Sequence, residues 1–246
     1  MWLNFLLKSV ILLSSALLLS FLIQFANAVI VQHHSFARGF KTLVDYAMYK
    51  NWLLQKVIYW MVIFFVTQLF LIINEKYSPG VFIDILLGRY IHPKVQKRIV
   101  MFMDLKDSTP IAEKLGHQLY FKFIRDFIYQ ISTAIIEYEG RIYQYVGDEA
   151  VSSWLFDKKN TRKCMDAVIL ARKRIQKKSE HFRREYGFVP EFRVGIHLGD
   201  VTVGEIGVIK KDLAMTGDTM NTTARIRSAT NELNHNFIVS KQLMEN

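Results

Sequence analysis

Residues 141–154 read RIYQYVGDEAVSSW, with apolar and aromatic runs on either side of a glycine and an acidic pair. Two short apolar runs around such a turn predict a β-hairpin. Gly147 accepts the backbone conformation that a tight turn requires, which places Asp148 at the tip. Glu149 should point to the opposite face of its strand and pair with a basic neighbour. By itself, an aspartate after a glycine is common turn chemistry.

Upstream, residues 100–110 read VMFMDLKDSTP, an apolar run that ends in an aspartate and continues through polar residues toward a helix. The pattern predicts a buried strand with Asp104 at its end. The backbone amides of Lys106 to Thr109 are expected to be free beside it. They could hold a phosphate while the carboxylate holds a cation that bridges to the same phosphate. A carboxylate that caps the turn is the alternative interpretation.

Asp148 comes close to Asp104 if the hairpin pairs with the upstream strand. Two aspartates that lie close together repel each other unless divalent cations neutralise them. The pairing therefore predicts a site for Mg²⁺ or Mn²⁺.

A third stretch, residues 215–230, reads MTGDTMNTTARIRSAT. Asn221 and Arg225 are four residues apart, so they share one face of the predicted helix, whereas Arg227 points elsewhere. An amide and a guanidinium on one face can hold a sugar oxygen and a phosphate together. Arg227 is interpreted as a solvated charge.

From residue 98 onward, helical and strand patterns alternate, which predicts one sheet with helices packed on it. A short helix at Val81–Leu87 precedes this region. The other expected elements are a strand at Arg98–Met103, a helix that begins at Pro110 after a Thr109 N-cap, helices at His117–Tyr138, Asn160–Tyr186 and Asp218–Thr230, and strands at Glu191–Leu198, Val201–Glu205, near Leu213 and at Phe237–Ser240.

Together and in this order, these stretches resemble the catalytic domain of the class III nucleotidyl cyclases, the adenylate and guanylate cyclases. The likeness extends over residues 98–246. FRVGIHLGDVTVGEIG is similar to the family's glycine-rich hairpin, and TGDTMNTTARI to its G-x-x-x-N-x-A-x-R helix, with a threonine in place of the usual alanine. The family's strand-end aspartate followed by L/I-x-x-S/T is matched by Asp104, Leu105 and Ser108, and its G-D hairpin by Gly147 and Asp148.

The resemblance implies an α+β fold with a ferredoxin-like or palm-type sheet and helices packed on it. In this chain two apolar stretches, predicted to be transmembrane helices, precede that domain. The resemblance also implies an enzyme that converts ATP or GTP to the 3′,5′-cyclic nucleotide and pyrophosphate. The implied cofactors are two Mg²⁺ or Mn²⁺ ions per site, in a homodimer whose chains share the active sites. The implied site residues are Asp104, Asp148 and the Leu105 carbonyl for the metals; Lys106, Asp107, Ser108 and Thr109 for the phosphates; Gln144 and Ala214 for the base; Asn221 for the ribose; and Arg225 for the charge that develops on the α-phosphate.

Two features depart from the family pattern. Gln144 and Ala214 stand where base-selecting residues are expected, and glutamine can bond to either purine while alanine offers no side-chain hydrogen bond. The base therefore stays open, with ATP favoured as the commoner substrate. The sequence also stops at Asn246, where further strands and a basic residue are expected.

A catalytically silent nucleotide-binding or dimerising regulator is the second interpretation. A diguanylate cyclase is disfavoured, because YVGDEAV lacks the second glycine and the phenylalanine of the GGDEF signature.

Two stretches near the N-terminus contain no charged residue. Ser9–Asn27 and Val57–Asn74 have 19 and 18 residues, close to the ~20 that cross a bilayer core. Ala26 to Ala28 match a signal-peptidase pattern, but the apolar run exceeds the roughly 7 to 15 residues of a signal peptide, which favours an uncleaved helix. Either interpretation predicts an inner (plasma) membrane protein whose chain after Lys76 is cytoplasmic.

Composition excludes some alternatives. The net charge is +10, yet much of it lies in RKRIQKKSEHFRRE, which resembles the basic end of an amphipathic helix. No nucleic-acid partner is therefore expected. A lipid bilayer is the expected partner, since basic residues favour anionic lipid. The single cysteine excludes an intrachain disulfide.

The expected organisation is a transmembrane helix or signal peptide at 1–28, an extracytoplasmic loop at 29–56, a transmembrane helix at 57–74, a connector at 75–97 and the catalytic domain at 98–246.

Overall fold

The computed structural model divides the chain into two compact units, Met1–Lys76 and Tyr77–Asn246. Part of the predicted connector, residues 75–80, lies outside the described residues. The structure describes residues 2–33, 35–49, 51–74, 81–209 and 212–245.

The N-terminal unit is helical. Helix α1 (Trp2–Ala26) continues into one π-helical turn (Asn27–Val31), and α2 (Phe36–Tyr49) and α3 (Trp52–Asn74) follow. The indole Nε1 of Trp60 donates a hydrogen bond of 2.8 Å to the Ser20 hydroxyl, which joins α3 to α1. Helix α2, within the segment expected to be an extracytoplasmic loop, was not predicted.

Two segments of this unit are long and apolar enough to cross a membrane, by length and composition only. They are Ser14–Val31 and Leu54–Ile73, with mean hydropathies of 1.9 and 2.1. Their residues are 6% and 0% buried, unlike the core helices of soluble proteins. Both segments overlap the two stretches that the sequence predicts as spans.

The second unit has a six-stranded sheet in the order β2-β3-β1-β4-β5, with β6 parallel to β4 and every other pair antiparallel. The first four strands and the helices between them have the βαββαβ connectivity of a ferredoxin-like fold, which confirms the predicted α+β class. The elements are α4 (Val81–Leu86), β1 (Lys94–Leu105), α5 (Ser108–Glu137), β2 (Arg141–Val146), β3 (Glu149–Leu155), α6 (Lys158–Lys177), α7 (Ser179–Tyr186), β4 (Phe192–Ile206), β5 (Asp212–Thr216), α8 (Asp218–Glu232), β6 (Phe237–Val239) and α9 (Lys241–Met244).

From Arg98 to Met103, the central strand β1 is buried on both faces. Alternate side chains along the strand pack on one face against α5 and α6, where Cys164 is also fully buried. Side chains at the intervening positions form a smaller cluster with β4, β5 and α8. The first set includes Ile99, Met101 and Met103, and the second includes Val100 and Phe102.

Two glycines of β4 let α8 pack directly on the sheet. A Cβ atom at Gly195 would lie 2.5 Å from the backbone nitrogen of Arg227. A Cβ atom at Gly199 would overlap the hydroxyl of Thr219, which donates a hydrogen bond of 2.7 Å to the Asp200 carbonyl. Close packing therefore fixes which face of α8 looks toward β1.

Several boundaries differ from the sequence expectations. The predicted strand pair within residues 191–205 is one continuous strand, β4, because Gly199 serves helix packing and not a turn. The predicted long helix after residue 160 divides at Lys178 into α6 and α7. Helix α9 was not predicted.

The start of α5 also differs. The helix begins at Ser108 after Asp107, which has a left-handed conformation (φ 58°), so the predicted Thr109 N-cap is wrong. A kink at Gly116 (φ 69°) separates the two helical stretches that the sequence predicts. This early start places the first turn of α5 directly after the end of β1.

Candidate active site

The hairpin tip and the end of β1 meet at one end of the sheet. Strands β1 and β3 pair up to Met103 opposite Ala150, so Asp104 continues toward the turn between β2 and β3. Gly147 in that turn has φ 63°, the left-handed conformation expected of it, and Asp148 follows. The structure therefore brings Asp104 and Asp148 to the same end of the sheet.

The two carboxylates influence each other. Burial raises the pKa of the Asp104 carboxyl and the charge of Asp148 raises it further, whereas Arg227 and Arg193 oppose the rise. Oδ2 of Asp148 is buried and has no hydrogen-bond partner in the described part of the chain. An unpartnered buried carboxylate oxygen beside a second carboxylate fits a site that a divalent cation would complete.

The donors suit a cation that also binds a ligand. Within the described ranges, no group of three or more His, Cys, Asp or Glu side chains is arranged to hold a metal by itself. Mg²⁺ is commonly bound by one or two carboxylates together with phosphate oxygens of a substrate. Asp104, Asp148 and the Leu105 carbonyl would hold such a cation.

Asp104, Asp148 and Glu149 form an acidic cluster, and Arg227 of the same chain contacts two of its members. Its guanidinium lies 3.3 Å from Oδ2 of Asp104 and 2.8 Å from Oε2 of Glu149. The interpretation of Arg227 as a solvated charge is therefore wrong, because the close approach of α8 at Gly195 turns this side chain toward the sheet. The expectation that Glu149 pairs with a basic neighbour is confirmed.

The loop after β1 is only partly available to a phosphate. The Lys106 amide donates a hydrogen bond of 2.9 Å to the Glu191 carbonyl, and the Lys106 ammonium lies 3.0 Å from the Glu191 carboxylate. The expectation of a free amide at Lys106 is thus wrong, since β4 begins beside it. Ser108 and Thr109 lie in the first turn of α5, where amides have no helical partner, and Asp107 precedes them.

Asn221 and Arg225 lie on the solvent face of α8. Both side chains are exposed, whereas Thr219, Thr223 and Thr230 of the same helix are buried against the sheet. Within the described residues of one chain, the Arg225 guanidinium forms no ion pair with the acidic cluster. The structure keeps Asn221 and Arg225 together, four residues apart, and does not join them to Asp104.

The two residues that the resemblance implies as contacts of the nucleotide base lie on different faces of the sheet. Gln144 is exposed in β2 opposite Val151. The Val151 side chain belongs to the smaller apolar cluster, with Val100 and Phe102, which lies beneath α8. Ala214 pairs with Gly204, so its neighbour Met215, and not Ala214, faces that cluster. The pattern of the sequence did not reveal Met215, because the face of a short strand depends on its register.

Tyr120 is a residue near the two aspartates that the sequence did not indicate. Burial raises the pKa of its hydroxyl, and the charges of Asp148 and Asp104 raise it further. Tyr120 therefore lies within electrostatic reach of both aspartates, from α5. Its only sequence signal is a tyrosine on the apolar face of a helix, which usually means packing alone.

Comparisons with known proteins agree on the second unit. A family model described as the adenylate and guanylate cyclase catalytic domain matches residues 91–244. Adenylate cyclase 2 of Rhizobium meliloti (strain 1021) is 32% identical over 173 residues, which cover 70% of this chain and 48% of that relative. An adenylate cyclase of Anabaena cylindrica is 26% identical over 183 residues, 70% of this chain and 36% of the relative. The chain thus spans about half or less of the length of these relatives.

Solved structures share the fold. A bacterial light-regulated adenylyl cyclase has a TM-score of 0.65 at 19% identity, over 75% of this chain and 56% of that one. The adenylyl cyclase CyaB from P. aeruginosa has a TM-score of 0.57 at 22% identity, over 63% of this chain and 81% of that one. The family model covers more than half of the residues and contains the β1 end, the hairpin and α8 in the order described above. The chain therefore belongs to the family of adenylate and guanylate cyclase catalytic domains.

Proposed function

We propose that this protein is a membrane-anchored purine nucleotidyl cyclase, which converts ATP, or less favourably GTP, to the 3′,5′-cyclic nucleotide and pyrophosphate in a homodimer. The observation that carries the proposal is the division of the site within one chain. Asp104 and Asp148 share one end of the sheet, whereas Asn221 and Arg225 face solvent on α8. A second copy would bring its α8 to the acidic pair.

Asp104, Asp148 and the Leu105 carbonyl are proposed to hold two divalent cations, Mg²⁺ or Mn²⁺. Bound there, these ions would lower the pKa of the ribose 3′-hydroxyl and balance charge on the leaving pyrophosphate. The unpartnered Oδ2 of Asp148 and the mutual repulsion of the aspartates support this assignment. The amides of Ser108 and Thr109, in the first turn of α5 after Asp107, would bind terminal phosphate oxygens.

The α8 pair of one chain would act on the substrate held by the other. Asn221 would accept and donate hydrogen bonds to the ribose and so hold the 3′-hydroxyl in line with the α-phosphate. Arg225 would stabilise the negative charge that develops on that phosphate. Their exposure supports the proposal, since an amide and a guanidinium on the solvent face of one helix are available to a partner.

ATP is the proposed substrate, with Gln144 as the base contact. Gln144 is exposed at the edge of the sheet, on the face shared with the acidic cluster. Its amide can donate and accept, so selection of adenine over guanine would depend on which group of the amide faces the base.

We further propose that the first and third helices anchor the protein in the inner (plasma) membrane, with the second unit in the cytoplasm. Their length, their apolar composition and the exposure of their side chains support this. The domain boundaries proposed are those of the sequence: spans at 1–28 and 57–74, an outer segment at 29–56, a connector at 75–97 and the catalytic domain at 98–246.

A catalytically silent nucleotide-binding regulator is the second candidate, and two contacts favour it. Asp104 is already paired with Arg227, and the Lys106 amide is occupied by the Glu191 carbonyl. A cation and a triphosphate would have to bind in the presence of these interactions. The silent regulator would bind nucleotide without turnover.

Incubation of the detergent-solubilised full chain with ATP or GTP and Mn²⁺ distinguishes the two candidates. Cyclic product with release of pyrophosphate is expected, faster with ATP. Saturable nucleotide binding without cyclic product would establish the regulator instead. Equal rates with both nucleotides would contradict the proposed preference for ATP but leave the cyclase in place.

A further inference from the structure

A small polar pocket of about 160 Å³ lies where α4 meets the beginnings of β1 and β2. It is on the side of the unit where β1 begins, at the opposite end of that strand from Asp104. The residues that matter for its chemistry are Asp84, Arg89, Tyr90, Lys94, Arg98 and Arg141.

The pocket carries more positive than negative charge. Four of its side chains are cations, whereas Asp84 is the single carboxylate among the residues that line it. Both oxygens of Asp84 are already engaged, Oδ1 with Arg89 at 2.7 Å and Oδ2 with Arg141 at 2.9 Å. Lys94 and Arg98 are therefore left without this carboxylate as a partner.

Arg98 is the most buried of these cations. The residue is only 3% exposed, and its guanidinium donates to two neutral acceptors, Oε1 of Gln96 and the Ser153 hydroxyl, each at 2.9 Å. In the described parts of the chain no carboxylate lies within 4.0 Å of it. Burial lowers the pKa of Arg98, and the charge of Arg141 lowers it as well, whereas Tyr90 and Asp84 oppose the fall. A buried guanidinium that no carboxylate contacts directly is costly unless an anion joins it.

We propose that this pocket is a binding site for a phosphate-like oxyanion. The oxyanion would accept hydrogen bonds from Arg98, Arg141 and Lys94, and from the Tyr90 hydroxyl, which lies 3.3 Å from Arg141. Planar guanidinium groups present paired donors that match phosphate oxygens. The volume admits a single phosphoryl group and is too small for a nucleotide, since small-molecule pockets usually exceed about 300 Å³.

The same chemistry has two possible sources. One is a free ion such as inorganic phosphate. The other is the headgroup phosphate of a lipid, because only residues 75–80 separate α3 from α4 and the first of these helices is a candidate span. The lipid source rests on the proposed membrane anchoring, whereas the oxyanion site itself does not. Neither source depends on cyclase activity.

An oxyanion in this pocket would connect α4 to two strands of the catalytic unit. β1 continues from Arg98 to Asp104, and β2 continues from Arg141 to the turn that carries Asp148. Occupancy of the pocket would therefore hold the connector helix against the two strands that lead to the acidic pair.

Hydrogen exchange of the full chain tests the proposal. The protein is reconstituted in bilayers of an uncharged, phosphate-free glycolipid, and exchange of the backbone amides of residues 94–98 and 141–146 is followed during titration with inorganic phosphate. Potassium chloride at equal ionic strength is the control. A parallel sample contains phosphatidylglycerol and no added phosphate.

Three variants identify the site. Lys94→Gln removes an exposed cation of the pocket, and Arg98→Gln removes the buried one. Lys97→Gln is the matched control, because Lys97 lies on the same strand over the Phe156 ring and does not line the pocket. Loss of one charge-assisted hydrogen bond should weaken phosphate binding about tenfold in the first two variants. If Arg98→Gln fails to fold, the comparison of Lys94→Gln with Lys97→Gln still tests the proposal.

Saturable slowing of exchange by phosphate, weakened in Lys94→Gln and retained in Lys97→Gln, establishes the site with a free ion as its ligand. Slowing by phosphatidylglycerol alone, with the same pattern among the variants, assigns the lipid headgroup. Absence of slowing in both arms, or equal slowing in all three variants, overturns the proposal. None of these readouts uses cyclase activity, so the proposed function can fail or stand independently.

Discussion

Arg227 gives the acidic cluster a positive partner within its own chain. It lies between Asp104 and Glu149, and a cation bound at Asp104 would share that carboxylate with a guanidinium. Replacing Arg227 with Gln should strengthen Mn²⁺ binding about tenfold, because one positive charge is removed from the site. Electron paramagnetic resonance of free Mn²⁺ measures this binding without requiring turnover.

The same variant should lose stability in the absence of metal. Glu149 would remain buried without its partner, at a cost of about 2 kcal/mol in the free energy of unfolding. The double variant with Glu149→Gln should recover part of this loss, since the two side chains interact directly. Unchanged Mn²⁺ affinity in Arg227→Gln would contradict the role assigned to this contact.

Asp148 should be essential for turnover and dispensable for folding. Its Oδ2 has no hydrogen-bond partner in the described part of the chain, so Asp148→Ala removes little packing. Production of cyclic nucleotide should fall below detection while thermal unfolding changes little. Asp148→Asn, which keeps the shape and removes the charge, is the matched control and should be equally inactive. Undiminished cyclisation in either variant would remove Asp148 from the metal site.

At the scale of elements, the packing of α8 on β4 depends on Gly195. A methyl group there would lie 2.5 Å from the Arg227 backbone nitrogen, and backbone cannot yield as a flexible side chain can. Gly195→Ala should therefore lower the free energy of unfolding by about 1–3 kcal/mol and displace Arg227. Thr202→Ala, on the other face of β4, should change it by less than about 0.5 kcal/mol. Equal thermal stability of the two variants would contradict this account.

Helix α7 is held to α5 by a hydrogen-bonded group that should make its docking sensitive to acid. The Tyr186 hydroxyl donates a hydrogen bond of 2.6 Å to Oδ2 of Asp126, and His181 lies 3.2 Å from the same oxygen. Burial raises the pKa of Asp126, but the hydrogen bonds from Tyr186 and His181 outweigh this effect and hold it below the usual 3.8. A lowered pKa means that the stabilisation is present above pH 3.8 and is lost as the pH falls through the folded-state value.

Tyr186→Phe should thus reduce stability by about 1 kcal/mol at neutral pH. The difference from the unmodified protein should shrink as the pH falls below 3.8, where Asp126 becomes protonated. Urea unfolding at a series of pH values measures both. A difference that does not change with pH would show that the tyrosine ring, and not its hydroxyl, holds α7.

At the scale of the whole molecule, the exposed α8 pair predicts active sites shared between copies. Asp148→Ala and Arg225→Ala should each be inactive alone. Mixed by co-expression, half of the dimers would contain one chain of each kind, with one intact site made of the unchanged residues of both. Activity should recover to about a quarter of the unmodified level. No recovery, with mixed dimers demonstrated by affinity tags, would place both residues in one chain's own site.

The sequence by itself determined most of the strands and helices of the second unit and the turn at Gly147. It also predicted the meeting of Asp148 with the end of β1, on the condition that the hairpin pairs with that strand. It did not predict α9, the continuity of β4 or the division into α6 and α7. Periodicity and turn chemistry are local, and a strand–helix–hairpin order of this kind has few alternative topologies. The pairing of Asn221 with Arg225 on one helix face follows in the same way from the helical repeat.

Only the tertiary structure decided which side chains and backbone groups of those strands and helices contact each other. It placed Arg227 between Asp104 and Glu149, joined the Lys106 amide to Glu191, and turned Met215 in place of Ala214 toward the cluster beneath α8. Each outcome depends on strand register or on the distance at which a helix packs, and a shift of one residue reverses the face of a strand. Contacts between residues far apart in the chain leave no periodic trace in the sequence, so the partners of a charge appear only when the elements pack together.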